Sequence, residues 1–387
     1  MQTVTKLLKA NLRQYGMLIA LLFIMILFQI LTGGILLKPL NVTNLILQNS
    51  YILVLAIGMV LVIISGHIDL SVGSVAAFVG AVSAVMMVQW NIPFAAAIVL
   101  SLLLGALIGA WQGFWVAYVR VPSFIVTLAG MLLFRGLTML VLKGQSVGPF
   151  PDAFRAISSG FIPDIPGGGD IHLLSILAGI VLTALLIWNE WLKRKNNIRY
   201  RFDVMPLGYF VARMAVLAVA LNVFIYVLAS YEGIPNILVI LMGLILLYTF
   251  VTNRTVIGRH IYAMGGNEKA AMLSGVKTKR VTFWVFVNMG TLAALSGLIF
   301  AARLNAATPK AGQNFELDAI AACFIGGASM SGGVGTVIGA VIGGLVMGVM
   351  NNGMSILGIG VDWQQGIKGL VLLLAVAFDI YNRNKSS

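Results

Sequence analysis

The sequence predicts an all-α polytopic membrane protein, on three observations. Of 387 residues, 60% are hydrophobic and only 10% are charged, against about a quarter charged in ordinary soluble domains. The apolar residues come in runs of about 20, the length an α-helix needs to cross the hydrocarbon core. The basic residues, which leave a net charge of +13, sit between those runs and not along one amphipathic face. Their placement removes the nucleic-acid reading that so basic a chain invites. The single cysteine, Cys323, excludes an internal disulfide framework and a cysteine-rich metal site.

Spans are predicted at 17–37, 45–64, 70–88, 93–118, 123–142, 172–189, 207–229, 234–251, 282–302 and 363–380. The first is long enough to cross and no small-residue cleavage pattern follows it, so it reads as a retained helix. Lys6, Lys9 and Arg13 put the N-terminus in the cytoplasm. Alternation then brings inside Arg120, the cluster Lys193, Arg194, Lys195, Arg199 and Arg201, and the basic loop 253–281. Of 25 basic residues, 17 fall in cytoplasmic segments, five outside and three (Arg135, Arg213 and Lys368) within spans. With Arg383 and Lys385 also inside, the apolar stretch 318–352 must leave and return. At about 1.5 Å per residue it is short for two full crossings. Gly326-Gly327 and Ser331-Gly332-Gly333 interrupt it, so a half-helix at 318–330 and a longer one at 334–352 are expected.

A second break is expected at 65–74, where Asp69 and Ser71 read either as caps of the helix that follows or as polar groups facing a pathway. Paired glycine-interrupted segments in two halves point to a permeation site. Val72-Gly73-Ser74-Val75 laid over Val334-Gly335-Thr336-Val337 is a faint internal match. Loop 143–171, with Pro149, Pro151, Pro163, Pro166 and Gly167-Gly168-Gly169, reads as external and irregular, and no soluble domain boundary is visible. Within the basic loop, Asn267 can cap a short helix with Glu268 in its first turn, running to Leu273 and closed by Ser274-Gly275. Residue types alone favour a solvated loop that sets orientation; the alternative is a helix that passes a push from a soluble partner.

Three blocks carry a resemblance. They are Gly258-Arg259-His260-Ile261-Tyr262-Ala263-Met264-Gly265-Gly266-Asn267 with Ala270, Ala271, Leu273, Ser274 and Gly275; Ile68 to Ser74; and Pro122 to Met131 with Phe134-Arg135-Gly136. Glu316 to Ala322, Gly326-Gly327, Ser331 to Gly335 and Asn351-Asn352-Gly353-Met354 add to them. The chain resembles the membrane permeases of ribose- and xylose-type ATP-binding-cassette (ABC) sugar importers, closest to the xylose-type branch. The resemblance covers roughly 45–150 and 234–380. His67 departs from the glycine usual there, so no role is carried over to it. The resemblance implies one permease domain over 1–387: a ten-crossing core, a two-span insertion at about 153–230, and broken or re-entrant helices near 65–74 and 318–335. It implies a coupling loop in 253–281 (Gly258, Arg259, Gly265, Gly266, Asn267, Ala270, Ala271, Leu273, Ser274 and Gly275) that docks on a separate ATPase. Gly265 and Gly266 would give the loop a tight entry, and Ala270 and Ala271 a small face for the partner. Pathway candidates are Asp69, Ser71, Gly73, Ser74, Glu316, Asp318, Asn351 and Asn352. The implied partners are a second permease copy, ABC ATPases holding ATP and magnesium, an extracytoplasmic sugar-binding protein and membrane lipid. The chain itself would carry no cofactor, and would sit in the bacterial plasma (inner) membrane with both termini cytoplasmic.

Catalytic chemistry is absent from the sequence: there is no P-loop run, and His67, His172 and His260 are scattered without a Ser-His-Asp or H-E-x-x-H pattern. The rival reading, an ion-coupled secondary sugar transporter, calls for ionisable residues inside the spans. All 12 acidic residues fall in loops or near predicted span ends, with the three span cations near one end, which counts against it. Single cysteines near Ser146, Asn197 and Ser386, in a Cys323→Ala background, are expected to label from outside, inside and inside respectively. External labelling at Asn197 would overturn the two-span insertion, and at Ser386 it would mean that 318–352 crosses once.

Overall fold

A computed structural model of the protein describes residues 12–165, 171–202 and 204–386. Lys6, Lys9, Pro166, Gly167 to Gly169, Asp170 and Asp203 lie outside the described residues. The helices in chain order are α1 (Leu12–Leu31), α2 (Pro39–Ile64), α3 (Val72–Ala84), α4 (Phe94–Phe114), α5 (Ser123–Leu142), α6 (Asp152–Ser159), α7 (Leu173–Arg199) and α8 (Leu207–Ala229). They continue as α9 (Asn236–Arg254), α10 (Val256–Gly266), α11 (Glu268–Leu273), α12 (Thr278–Leu304), α13 (Phe315–Ile325), α14 (Val337–Ile356) and α15 (Val361–Ser386). One π-helical turn extends α3 through Gln89 and another extends α4 through Val119. Among the described residues, nine helices are long and apolar enough to cross a membrane.

Four of these helices, α2, α3, α12 and α14, form the core, and the rest surround them. The most apolar window of α2 is 83% buried and that of α7 only 11%. Small residues let α12 serve as the central post. On α4, Gly105, Gly109 and Gly113 recur every four residues and so share one face. A Cβ on Gly105 would overlap Ala294 and the Gly290 carbonyl, and one on Gly109 would overlap the Phe286 carbonyl. Two turns further along, α12 presents Gly297, where a Cβ would overlap the Ala76 carbonyl of α3. In lipid such close backbone approach is what drives helix association, since the tails are as apolar as leucine.

Most expected spans are present, with shifted ends. The first helix stops at Leu31 and not at 37, because Gly33 (φ 62°) and Gly34 (φ 88°) reverse the chain and Pro39 opens α2. Apolar Ile35, Leu36 and Leu37 belong to this turn, where Gln29 Oε1 accepts from the Leu37 amide at 2.9 Å. The first break covers only 65–71: Gly73 and Ser74 are already in α3. The half-helix starts earlier than expected, at Phe315, and its eleven residues rise about 16 Å, roughly half the hydrocarbon core. The turn after it is longer, 326–336. The faint internal match does not correspond to equivalent positions, since Gly73 is helical whereas Gly335 (φ 153°) lies in the turn.

Two helices are unforeseen. One is α6 in the loop 143–171, whose Phe154 packs against Phe150 with ring centroids 4.8 Å apart. The other is α10, started by Thr255, whose Oγ1 accepts from the Gly258 amide at 3.2 Å. In the same loop as α6, Asp164 accepts from the amides of Leu174 (2.9 Å), Ile165 (2.8 Å) and Leu173 (3.2 Å), which holds its carboxyl below the usual range. The α7–α8 hairpin packs on itself through Gly179 against Ile225 and through Asn222 Nδ2 donating to Thr183 Oγ1 at 2.8 Å.

Replacing Gly109 with leucine is expected to destabilise the protein by about 1–3 kcal/mol through overpacking against α12. Leucine at Gly136, where a Cβ meets nothing within 4 Å, is expected to change the midpoint of thermal unfolding in detergent little.

Candidate translocation site and coupling loop

The two breaks bring two helix beginnings together. Gly73, in the first turn of α3, lies so close to the segment before α13 that a Cβ would overlap the Gly312 carbonyl and Glu316 Oε2. Gly312 (φ 72°) in turn has no room for a Cβ, because the Gly73 carbonyl is there. Around this crossing stand four of the pathway candidates, Asp69, Ser71, Ser74 and Glu316, all buried. Arg135 of α5 donates to the Gly312 carbonyl at 3.4 Å and is the cation facing Glu316.

Neither Asp69 nor Ser71 caps α3 in the expected way. Ser71 stands at the N-cap position without a side-chain cap bond. Asp69 Oδ1 accepts from the Ser71 amide (2.8 Å) and from Ser71 Oγ (2.6 Å), while Gln112 Nε2 of α4 donates to Ser71 Oγ at 2.7 Å. This buried relay from α4 through Ser71 to Asp69 fixes the shape of the first break. His67 lies beside Phe286, ring centroids 5.8 Å apart. Ser74 Oγ and Glu316 Oε2 are buried without a hydrogen-bond partner.

Glu316 and Asp318 lie near a helix end, as expected from the sequence, but they are buried. They occupy the first turn of α13, a helix begun inside the protein, and are only 7% and 3% exposed. Burial follows from the re-entrant path: a helix that starts at depth carries its N-terminal acids there, where they complement its dipole. Lys368 of α15 pairs with Asp318 at 3.0 Å. The span cations Arg135 and Lys368 therefore answer two buried carboxylates.

Sequence reasoning missed a cavity of about 180 Å³ between α13, α14 and α15, lined by Asn314, Leu317, Asp318, Met347, Gln365 and Lys368, among others. It also missed the aromatic group behind α13, where Tyr51 stacks on Phe315 (4.0 Å) and Phe300 meets both rings edge-on. Of the last two candidates, Asn351 lies within reach of Asp318, whereas Asn352 does not join this group. Its side-chain amide exchanges hydrogen bonds of 2.9 and 3.1 Å with Asn41, clamping α14 to α2.

The basic loop contains the expected short helix. Asn267 Oδ1 accepts from the Ala270 amide at 3.0 Å, α11 runs from Glu268 to Leu273, and Gly275 (φ 88°) turns the chain after Ser274. Gly265 and Gly266 are not a tight entry: they close α10. Gly258 and Ala271 are buried, and Arg259, Gly266 and Ala270 exposed. Because Ala271 is 5% exposed, it faces the protein's own interior and not a partner. The exposed apolar side chains of α11 are Leu273, 86% exposed, and Met272 at 54%, and Val256 and Ile257 at the start of α10 are exposed too.

A family described as branched-chain amino acid transport system / permease component matches residues 41–376. The xylose transport system permease protein XylH of Haemophilus influenzae is 44% identical over 380 residues, 98% of this chain and 99% of that protein. Its namesake in Escherichia coli K12 is 41% identical over 376 residues, 97% and 94% of the two chains. The ribose import permease protein RbsC of Bacillus subtilis 168 is 34% identical over 366 residues, 95% and 92%. No solved structure matches. By a family match across most of its length and by full-length relatives of this similarity, the chain belongs to the branched-chain amino acid transport system / permease component family and is a multi-pass protein of the bacterial inner membrane.

Proposed function

We propose that the chain is the transmembrane permease subunit of an ATP-driven importer for a monosaccharide, xylose or a related pentose or hexose. The sugar class is supported by what the relatives carry by name, xylose and ribose. In this reading a sugar-binding protein delivers the substrate from outside, and two ABC ATPase subunits hold ATP and magnesium on the cytoplasmic side. No cofactor belongs to the chain. The whole chain acts as one permease domain, the α7–α8 hairpin being an insertion. The charge distribution supports cytoplasmic termini and a cytoplasmic basic loop.

The observation that carries the reading is the end of α11. An exposed leucine and methionine, on a loop whose exposed residues include Lys269, Lys277, Lys279 and Arg280, form an apolar tip in a polar rim, the composition of an interface core. Ala271 seats α11 on the body so that Leu273 is held outward.

The substrate's route follows α13. The cavity beside it offers a carboxylate and an ammonium in Asp318 and Lys368, two side-chain amides in Asn314 and Gln365, and apolar walls from Leu317 and Met347. Mixed donors and acceptors beside apolar surface suit a hydroxylated ring. Polar groups at membrane depth do not face lipid, so a second copy of the chain covers this side. Lipid covers the outer faces of α7 and α8.

Leu273→Glu is expected to abolish co-purification of the ATPase and lower sugar uptake at least tenfold. Membrane level should hold, because an exposed site costs within about 0.5 kcal/mol. Normal uptake at normal level would remove α11 from the coupling role, and accumulation driven by an ion gradient without ATPase would overturn the importer reading. Gln365→Leu, at an exposed cavity position, is expected to reduce uptake roughly threefold to tenfold, the span of one hydrogen bond. Unchanged uptake would move the route away from this cavity.

A further inference from the structure

The loop holds a second helix beside α11, and this helix, α10, touches both broken segments at once. Gly265, one residue from its end, presses against the carbonyl of Ile64, the last residue of α2, where any Cβ would overlap the oxygen. That same oxygen accepts the amide of Gly333 at 2.8 Å. Three stretches of backbone, remote in sequence, therefore meet at one atom. A Cβ on Gly333 would come within 2.8 Å of Gly266 Cα, so the contact is backbone against backbone on that side too. One turn earlier, Tyr262 Oη donates to the Gly335 carbonyl at 2.7 Å.

Each contact leads directly into the site. From Ile64 the chain enters 65–71, which carries Asp69 and Ser71 and opens α3 beside Glu316. From Gly335 it enters α14 through Thr336, whose Oγ1 accepts the Gly339 amide at 2.9 Å. Backwards, it joins the end of α13, whose eleven residues lead to Asp318 and Glu316. Contacts made by glycine backbone have no rotamer through which to yield, so displacement of α10 moves both breaks together.

We propose that α10 is the transmission element of the permease, with Tyr262 and Gly265 as positioning residues that tie movement of the docked α11 to both breaks simultaneously. The proposal rests on the reading of α11 as the ATPase-docking element. A contact that merely staples the fold would affect the amount of protein; a transmission contact sets how much sugar moves per ATP consumed.

The test uses the complete complex of permease, ATPase and binding protein in proteoliposomes, with xylose as the probe sugar and ATP hydrolysis measured alongside uptake. Tyr262→Phe keeps the ring and removes the hydroxyl. It is expected to leave membrane level and binding-protein-stimulated ATP hydrolysis within about twofold of the unmodified complex, while sugar moved per ATP falls roughly threefold to tenfold. Gly265→Ala is expected to lower that ratio further in the fraction that folds. An unchanged ratio in Tyr262→Phe overturns the proposal, and so does a loss of protein with the ratio unchanged, which is the behaviour of a staple. Failure of the unmodified complex to take up xylose with ATP would instead refute the importer reading, and is seen without any variant.

Discussion

Backbone that leaves a helix at membrane depth must find its hydrogen-bond partners within the protein, because lipid supplies none. The arrangement of this permease follows from meeting that constraint twice. At the first break the Ser71 amide is held by Asp69 and the Ile68 amide faces Ser123 Oγ at 3.4 Å. Before the half-helix α13, Arg135 reaches the Gly312 carbonyl. After it, Gly333 donates to Ile64 and Ser329 to Val334. Asp69 and Val334 are partners from within the breaks themselves, whereas Ser123, Arg135 and Ile64 come from other helices, so these last contacts exist only in the assembled bundle.

Close packing around α12 makes those partners available. Glycines on α4 and α12 bring the two backbones together, and Gly297 does the same for α3. The result is a tight core of α2, α3, α12 and α14, against which α13 lies with its acidic first turn buried. Carboxylates in that position would be costly alone. Lys368 pairs with Asp318, Arg135 faces Glu316, and Asp69 is bonded by Ser71. Of these groups, Asp318 and Lys368 also line the cavity beside α13.

The basic loop divides into two pieces with different surroundings. The short helix α11 is seated by Ala271 and presents Leu273 to solvent, whereas α10 is packed into the body against Ile64 and Gly333. An exposed apolar tip and a glycine-packed root suit contact with a soluble subunit and contact with the membrane core, respectively.

The sequence alone determined the membrane class, most of the spans and the short helix from Asn267 to Gly275, because these rest on run length, charge placement and capping chemistry within a few residues. It also located both breaks to within several residues, since glycine clusters interrupt otherwise continuous apolar runs. The tertiary structure decided what the candidates do. Asn352 clamps Asn41, Ala271 faces inward and Gly265 is an approach point, because the neighbour that gives each its role is remote in the chain. Glu316 and Asp318 stand near a span end in sequence yet deep in the protein, as a re-entrant segment separates position along the chain from depth in the membrane. Only packing could bring Arg135 and Lys368 to those carboxylates, for no local rule relates α5 or α15 to the start of α13.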